Sequence, residues 1–285
     1  MKTYQNSTEL KNLTLGKSTE YSGEYNPNLL QAVPRQLNRA DLSISDNTLP
    51  FIGEDVWYGY ELSWLNERGK PIVALAEFRF DCHSHNLVES KSFKLYLNSF
   101  NQTKFSNIQL VERILTEDLS KTARGEAKVK LFSVDECPPL AINHNDNKYI
   151  CIDDEDISID SYSYQSELLQ NSQKNSSKTV EENLVSHLLK SNCLITNQPD
   201  WATIYISYEG QAIKHSSLLK YLISFREHNE FHEQCVERIY CDLKKHCQLK
   251  KLTIFARYTR RGGLDINPFR SSHQNFAPHN RTIRQ

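Results

Sequence analysis

The feature that most constrains this chain is a repeat inside it. Val88-Glu89-Ser90-Lys91-Ser92-Phe93-Lys94-Leu95-Tyr96-Leu97-Asn98-Ser99-Phe100 aligns without gaps, 125 positions on, with Ile213-Lys214-His215-Ser216-Ser217-Leu218-Leu219-Lys220-Tyr221-Leu222-Ile223-Ser224-Phe225. Five of the thirteen positions are identical: Ser92/Ser217, Tyr96/Tyr221, Leu97/Leu222, Ser99/Ser224 and Phe100/Phe225. In each copy a strand-like stretch precedes a helix-like one, so the match marks a supersecondary unit. Two similar domains in tandem follow, and 285 residues can bury two ordinary cores.

The pattern around the repeat is mixed. Asp55 to Ser63 and Pro71 to Phe80 read as strands, the second alternating Ile72, Ala74, Ala76, Phe78, Phe80. Helices are expected over 90–105 and 110–120, then a strand over 127–134. The first fifty residues read as an irregular arm with turns at Leu15-Gly16-Lys17, Tyr25-Asn26-Pro27 and Val33-Pro34-Arg35. From Asp153-Asp154-Glu155-Asp156 to Lys178 the chain is acidic, then rich in Ser, Asn and Gln, the composition of a solvated connector. Beyond it we expect a short helix to Lys190, a turn at Cys193 and a strand over 202–208. A helix pair from 216 to about 247 follows, then a strand over 252–258, a Gly-Gly turn at 262–263 and a loose polar tail. The expected class is α+β, with domains at 1–152 and 181–285 and a polar linker at 153–180.

Lys and Arg total 34 against 35 acids, a balance that argues against a protein that coats nucleic acid. No apolar run reaches membrane-spanning length, and the N-terminus lacks the apolar core of a signal peptide, so a soluble, cytoplasmic protein is expected. Seven cysteines, an odd number with no CxxC, read as free thiols of a reducing compartment. His228, His232 and Cys235 would share one face of a helix, and Asp81-Cys82-His83-Ser84-His85 is a second group of possible ligands. Structural zinc usually has paired short spacings, which are missing, so no metal is expected.

Chemistry concentrates in Ser191-Asn192-Cys193-Leu194-Ile195-Thr196-Asn197-Gln198-Pro199-Asp200-Trp201. A cysteine precedes an aspartate by seven residues across a turn that leads into a strand. A thiolate beside a protonated carboxyl group suits addition to an electrophilic carbon: sulfur attacks, and the acid protonates the atom that becomes basic. Only the second half carries this turn and Asn229-Glu230-Phe231-His232-Glu233, while only the first begins its repeat helix with Glu-Ser-Lys. A composite site, between halves or between chains, is expected.

Glu89 to Phe100, Cys193 to Asp200, Phe231-His232-Glu233 and Arg260-Arg261-Gly262-Gly263 occur together and in order. In these motifs the chain resembles the QueF family, in its long two-domain form: NADPH-dependent nitrile reductases that convert 7-cyano-7-deazaguanine to 7-aminomethyl-7-deazaguanine in queuosine biosynthesis. The resemblance implies two tandem tunnelling-fold domains, antiparallel sheets with helices on one face, joining edge to edge into a barrel. Edge pairing would remove unpaired backbone groups, and a homodimer is implied. It implies Cys193 as nucleophile forming a thioimide, Asp200 as proton donor and activator of the thiol, and His232 as an aid to proton transfer. Val88, Glu89, Ser90, Phe231, His232 and Glu233 correspond to substrate contacts. A carboxylate matches the donor face of a guanine-like ring, which Glu89 and Glu233 would supply; Phe231 either stacks on that ring or is ordinary core. Ser90, Lys91, Arg261 and Gly262 resemble contacts to NADPH, for which no Gly-rich dinucleotide fingerprint exists here. Two competing readings are a zinc-dependent tunnelling-fold cyclohydrolase or pterin enzyme, and a purine-binding protein without catalysis.

Overall fold

Residues 23–45, 48–140, 148–170, 172, 179–279 and 281–285 are described by the computed structural model. The turn expected at Leu15-Gly16-Lys17 lies outside them. The chain forms two compact units, which take in the described parts of 1–47, 55–141 and 260–266, and of 48–54, 142–259 and 267–285. Relative to boundaries at 152 and 181, short segments are exchanged: 260–266 joins the first unit and 48–54 the second. The architecture is mixed α+β in both.

The first unit opens with a 3-10 turn at Pro27–Leu29, strand β1 (Ala32–Pro34) and helix α1 (Gln36–Asp41). Strands β2 (Ile52–Leu65) and β3 (Pro71–Asp81) follow, then β4 (Asn86–Val88), helices α2 (Ser90–Asn98) and α3 (Ile108–Ala123), and strand β5 (Ala127–Phe132). The strand order is β5-β3-β2, with Leu264–Ile266 beyond β2. Alternation in β3 sends Ala74, Ala76, Phe78 and Phe80 to one face, where they meet Phe93, Tyr96 and Leu97 of α2 and Val111, Leu115 and Leu119 of α3. Phe93 is fully buried, its ring 4.8 Å from Phe78 and 5.4 Å from Trp57. Side chains held like this cost about 3–5 kcal/mol to truncate. Asn107 caps α3, accepting from Leu110 N at 2.9 Å, and Arg124 ends it in the left-handed region at φ 50°. The helix expected over 90–105 stops at Asn98, because Ser99 turns its hydroxyl back onto Tyr96 O at 2.6 Å and the chain leaves the helix.

In the second unit β6 (Ile150–Cys151) pairs parallel with β7 (Thr179–Asn192), and β7 antiparallel with β8 (Pro199–Gln211). Helices α4 (His215–Ile223) and α5 (His232–His246) precede β9 (Leu249–Tyr258) and β10 (Leu264–Ser271). Residues 269–271 pair with β9, which pairs with β8. The short helix expected before Lys190 is instead the long strand β7. Val180, Leu184 and Leu188 recur every four residues, and Val185 and Leu189 likewise, which mimics a helical face. Four is also a multiple of two, so residues four apart share one face of a strand as readily as of a helix, and a register shift between Ser186 and Leu189 further breaks the alternation that marks a strand.

The polar tail is also not loose. Ala277 and Gln285 are buried, and Ala277 N donates to Glu54 Oε1 at 2.8 Å. Gln285 Nε2 donates to Asn267 Oδ1 at 2.7 Å and to Tyr258 O at 3.2 Å, and its Oε1 accepts from Thr282 N at 3.0 Å. Composition missed this because polar side chains are satisfied by long-range partners. Gln285→Ala strips these bonds from buried partners and is expected to lower stability by about 1–3 kcal/mol, read in urea unfolding. An unchanged midpoint would mean that the tail is not held.

The repeat extends far beyond its thirteen positions. Helices α2 and α4 begin and end 125 residues apart. Tyr96 and Tyr25 both donate to Asp118 Oδ2 at 2.6 Å; Tyr221 and Tyr164 donate to Asp242 Oδ2 at 2.5 and 2.7 Å. Ser99 Oγ accepts from Asn26 N, as Ser224 Oγ does from Gln165 N. Each unit is one copy of the same design.

Candidate active site

The hairpin between β7 and β8 holds Cys193 and Asp200. Cys193 N donates to Gln198 O at 2.8 Å, and Cys193 O accepts from Asn197 N at 3.0 Å. Asn197 closes the turn at φ 56°, a left-handed conformation that asparagine tolerates. Asp200 stands opposite Ser191 in the ladder, and period two sends it to the buried face shared by Ala202, Ile204 and Ile206. Cys193 is 8% exposed and Asp200 3%.

Helix α5 brings the next groups. Phe231 is its N-cap residue and is half-buried; Glu233 is buried in the first turn. His232 Nε2 lies 3.2 Å from Asp200 Oδ2, and its ring stacks on Tyr258 at 3.9 Å with an interplanar angle of 5°. His232 Nδ1 is buried with no hydrogen-bond partner among the described residues. The imidazole is therefore clamped flat, one nitrogen on a carboxylate and the other buried without a hydrogen-bond partner among the described residues. The strap before α5 is sewn to the cysteine turn: Asn192 N donates to His228 O, Glu230 N to Asn192 O, and Asn229 Nδ2 to both Asn197 Oδ1 at 2.8 Å and Cys193 O at 3.3 Å. Cys193, Asp200, Phe231, His232 and Glu233 thus gather in the second unit.

The other predicted residues lie in the first. Val88 ends β4, paired with Ala32. Glu89 is the N-cap of α2: its carboxylate accepts from Lys91 N and Ser92 N, both at 2.7 Å, with Ser90 Oγ at 3.5 Å. Arg261 N and O exchange bonds with Leu264 across Gly262 and Gly263, at φ 60° and 79°, a tight turn needing two left-handed residues. A Cβ on Gly262 would meet Lys94 Cδ at 3.1 Å, so this turn lies against α2, which carries Ser90 and Lys91. Lys94, paired with Glu61 at 2.5 Å, was not foreseen at this cationic corner, nor was Tyr258, which reads only as the end of a strand. Arg260 stacks over Tyr60 at 4.1 Å. Lysines, arginines and turn amides are the donor set a phosphate-bearing cofactor needs, so the residues fit NADPH.

Burial pushes the Glu89 carboxyl above its ordinary 4.5, outweighing the donors from Lys91, Ser92 and Ser90. A raised folded value makes the protonated form favour folding: the contribution is full below 4.5 and is lost as pH rises through the folded value. Wild type should therefore lose stability across that window relative to Glu89→Gln, in thermal melts from about pH 4 to 7. Parallel pH profiles of the two proteins would mean that Glu89 is not held above its ordinary value.

The face expected of His228, His232 and Cys235 does not form. His228 precedes α5 and bonds Glu230, while Cys235 is fully buried, its thiol pushed up by that burial to about 12. Among the described residues, two trios of possible metal ligands gather within 4.8 Å, Asp81/Cys82/His83 and Cys151/Asp153/His187. Neither includes Cys193, Asp200 or His232. All seven cysteines are free thiols. Among the described residues, no helix is long and apolar enough to cross a membrane.

Residues 21–131 match the family described as nitrile reductase, 7-cyano-7-deazaguanine-reductase N-term, and residues 199–277 match the family described as QueF-like protein. A protein of Colwellia psychrerythraea (strain 34H / ATCC BAA-681), named NADPH-dependent 7-cyano-7-deazaguanine reductase, is 70% identical over 286 aligned positions, covering 100% of both chains. The crystal structure of the archaeosine synthase QueF-Like in the apo form overlaps 36% of this chain and 100% of its own, with 15% identity and a TM-score of 0.30.

Proposed function

The chain belongs to the QueF family of nitrile reductases, and we propose on that footing that it reduces 7-cyano-7-deazaguanine to 7-aminomethyl-7-deazaguanine through a covalent thioimide on Cys193. It is an NADPH-dependent oxidoreductase serving queuosine biosynthesis, working in the cytoplasm on a small-molecule substrate. The observation that carries the reading of the site is the hairpin that bears both Cys193 and Asp200, with Asp200 joined to His232 at 3.2 Å.

A nitrile carbon is a modest electrophile, so the addition needs a strong nucleophile and a proton for nitrogen. The Cys193 thiolate forms the C–S bond, one C–N π bond opens onto nitrogen, and Asp200 delivers the proton that nitrogen takes up. His232, orientated by Tyr258, holds the Asp200 carboxyl from one side and offers Nδ1 as a further proton route. Glu89 and Glu233 accept from the ring N–H and amine of the deazaguanine, and Val88, Ser90 and Phe231 enclose the ring. Ser90, Lys91, Arg261 and the Gly262 turn hold the phosphates of NADPH, which when bound supplies the hydrides that take nitrile to amine. A zinc ion has no part in this chemistry, because protonation polarises the C–N bond. We further propose that both units are tunnelling-fold domains whose sheets join those of a second copy into a barrel. Val73, Ile150 and Leu188, large apolar side chains left 40–58% exposed on strands, support that pairing, which sedimentation would read as a dimer.

Intact-protein mass spectrometry tests the reading. Mixed with 7-cyano-7-deazaguanine and no NADPH, the protein should gain the full mass of the substrate and lose it again when NADPH is added. No adduct under any condition would overturn the covalent route.

A further inference from the structure

The two units differ where the second does chemistry, and the differences can be paired through matching backbone bonds. Leu65 N donates to Thr103 O and Phe105 N to Leu65 O; Asn192 N donates to His228 O and Glu230 N to Asn192 O. Phe105 and Glu230 are therefore equivalent. Helices α3 and α5 are matched by Asp118 and Asp242, each receiving its tyrosine pair, which sets Ile114 against Arg238. By the same logic Asn66, whose N–H meets Lys70 O across its hairpin, stands where Cys193 stands.

In the first unit Phe105 and Ile114 join the apolar core, with Phe105 6.2 Å from the Tyr25 ring. In the second the same two places hold an ion pair, and it is 1% and 3% exposed. Arg238 Nη2 donates to Glu230 Oε1 at 2.7 Å and its Nε to both oxygens at 3.1 Å, while His228 Nε2 meets Glu230 Oε2 at 3.0 Å. The guanidinium also sits 5.3 Å from Tyr164, the counterpart of Tyr25. Burial opposes the charge on Glu230, but Arg238 and His228 outweigh it and hold the carboxyl below its ordinary range. A buried ion pair is a poor source of stability compared with apolar packing, and this fold accepts apolar packing at the same place. Geometry is what it adds: a forked, directional anchor fixes a strap where packing would let it slide.

We propose that Glu230 and Arg238 are positioning residues whose ion pair sets the 228–232 strap, and through it both the Cys193 turn and His232, for attack on the nitrile. The strap is the shared support of the two: Asn229 holds the turn, and His232 begins the helix two residues after Glu230. The inference rests on the nitrile-reductase reading.

The test transplants the first unit's pair into the second as Glu230→Phe with Arg238→Ile. The double variant should melt with wild type, form the adduct about 10–100-fold more slowly without NADPH, and show the same fall in kcat with KM for NADPH unchanged. A folded double variant that forms adduct at the wild-type rate overturns the proposal. Arg238→Lys, which keeps the charge and loses the fork, should slow adduct formation less, and carries the test alone if the double variant does not fold; full speed in it then overturns the proposal. A wild type that forms no adduct is a different result, because it removes the reading on which the proposal rests.

Discussion

Cys193→Ala is expected to bind 7-cyano-7-deazaguanine and to reduce none of it. The turn that presents the thiol is built from backbone and from Asn197 and Asn229, so losing Sγ leaves every one of those bonds in place. Binding should therefore survive, within about severalfold of wild type by calorimetry, since one small atom contributes little to affinity. Turnover should fall by about 10⁴-fold or more, the scale on which enzymes lose rate when a covalent nucleophile is removed. The mass-spectrometric adduct should vanish with it. Cys235 and Cys247 cannot substitute, because burial raises both thiols and keeps them protonated. Retained reduction, or a full-mass adduct in the variant, would move the chemistry away from this hairpin.

Which parts of this arrangement were legible in the sequence follows from how local each one is. Cys193 and Asp200 belong to one hairpin, so seven residues and an Asn-Gln-Pro turn sufficed to set them on it. Glu89 could be placed because an acid before a helix is a cap by position alone, and the structure makes it one. The repeat was visible in thirteen residues, but its depth was not: Tyr25 and Tyr164 reach their aspartates across 93 and 78 residues. Strand β7 was hidden because a recurrence of four fits a strand face as well as a helix face, and its bulge interrupts the alternation that would have told them apart. Tyr258 and the Glu230–Arg238 pair are the costliest omissions. Each is defined by what it touches, and a stacking partner or ion pair between elements leaves no periodic trace. The first unit supplies the missing signal, because Phe105 and Ile114 show that the equivalent places there are apolar core.

Asp200→Asn should slow adduct formation by roughly 10³–10⁴-fold while leaving the nitrile bound, toward the upper range for loss of a general acid. The substitution keeps the volume of a side chain that is 3% exposed, and an amide oxygen can still face His232 Nε2. The ladder pair with Ser191 is made by backbone, so the hairpin stays in register. What the amide lacks is a proton to deliver as nitrogen becomes basic, and a charge with which to draw one from the thiol. Water does not replace it, because this side chain is buried against His232. Rapid mixing followed by quenching and mass measurement gives the adduct rate directly, and a thermal melt run beside it separates slow chemistry from a damaged fold. If the folded variant forms adduct as fast as wild type, Asp200 is not the acid, and His232, whose Nδ1 is buried without a hydrogen-bond partner among the described residues, becomes the next proton source to test. If the variant instead fails to bind the nitrile, Asp200 belongs to recognition, and the separation between the carboxylates that hold the base and the one that protonates nitrogen must be redrawn.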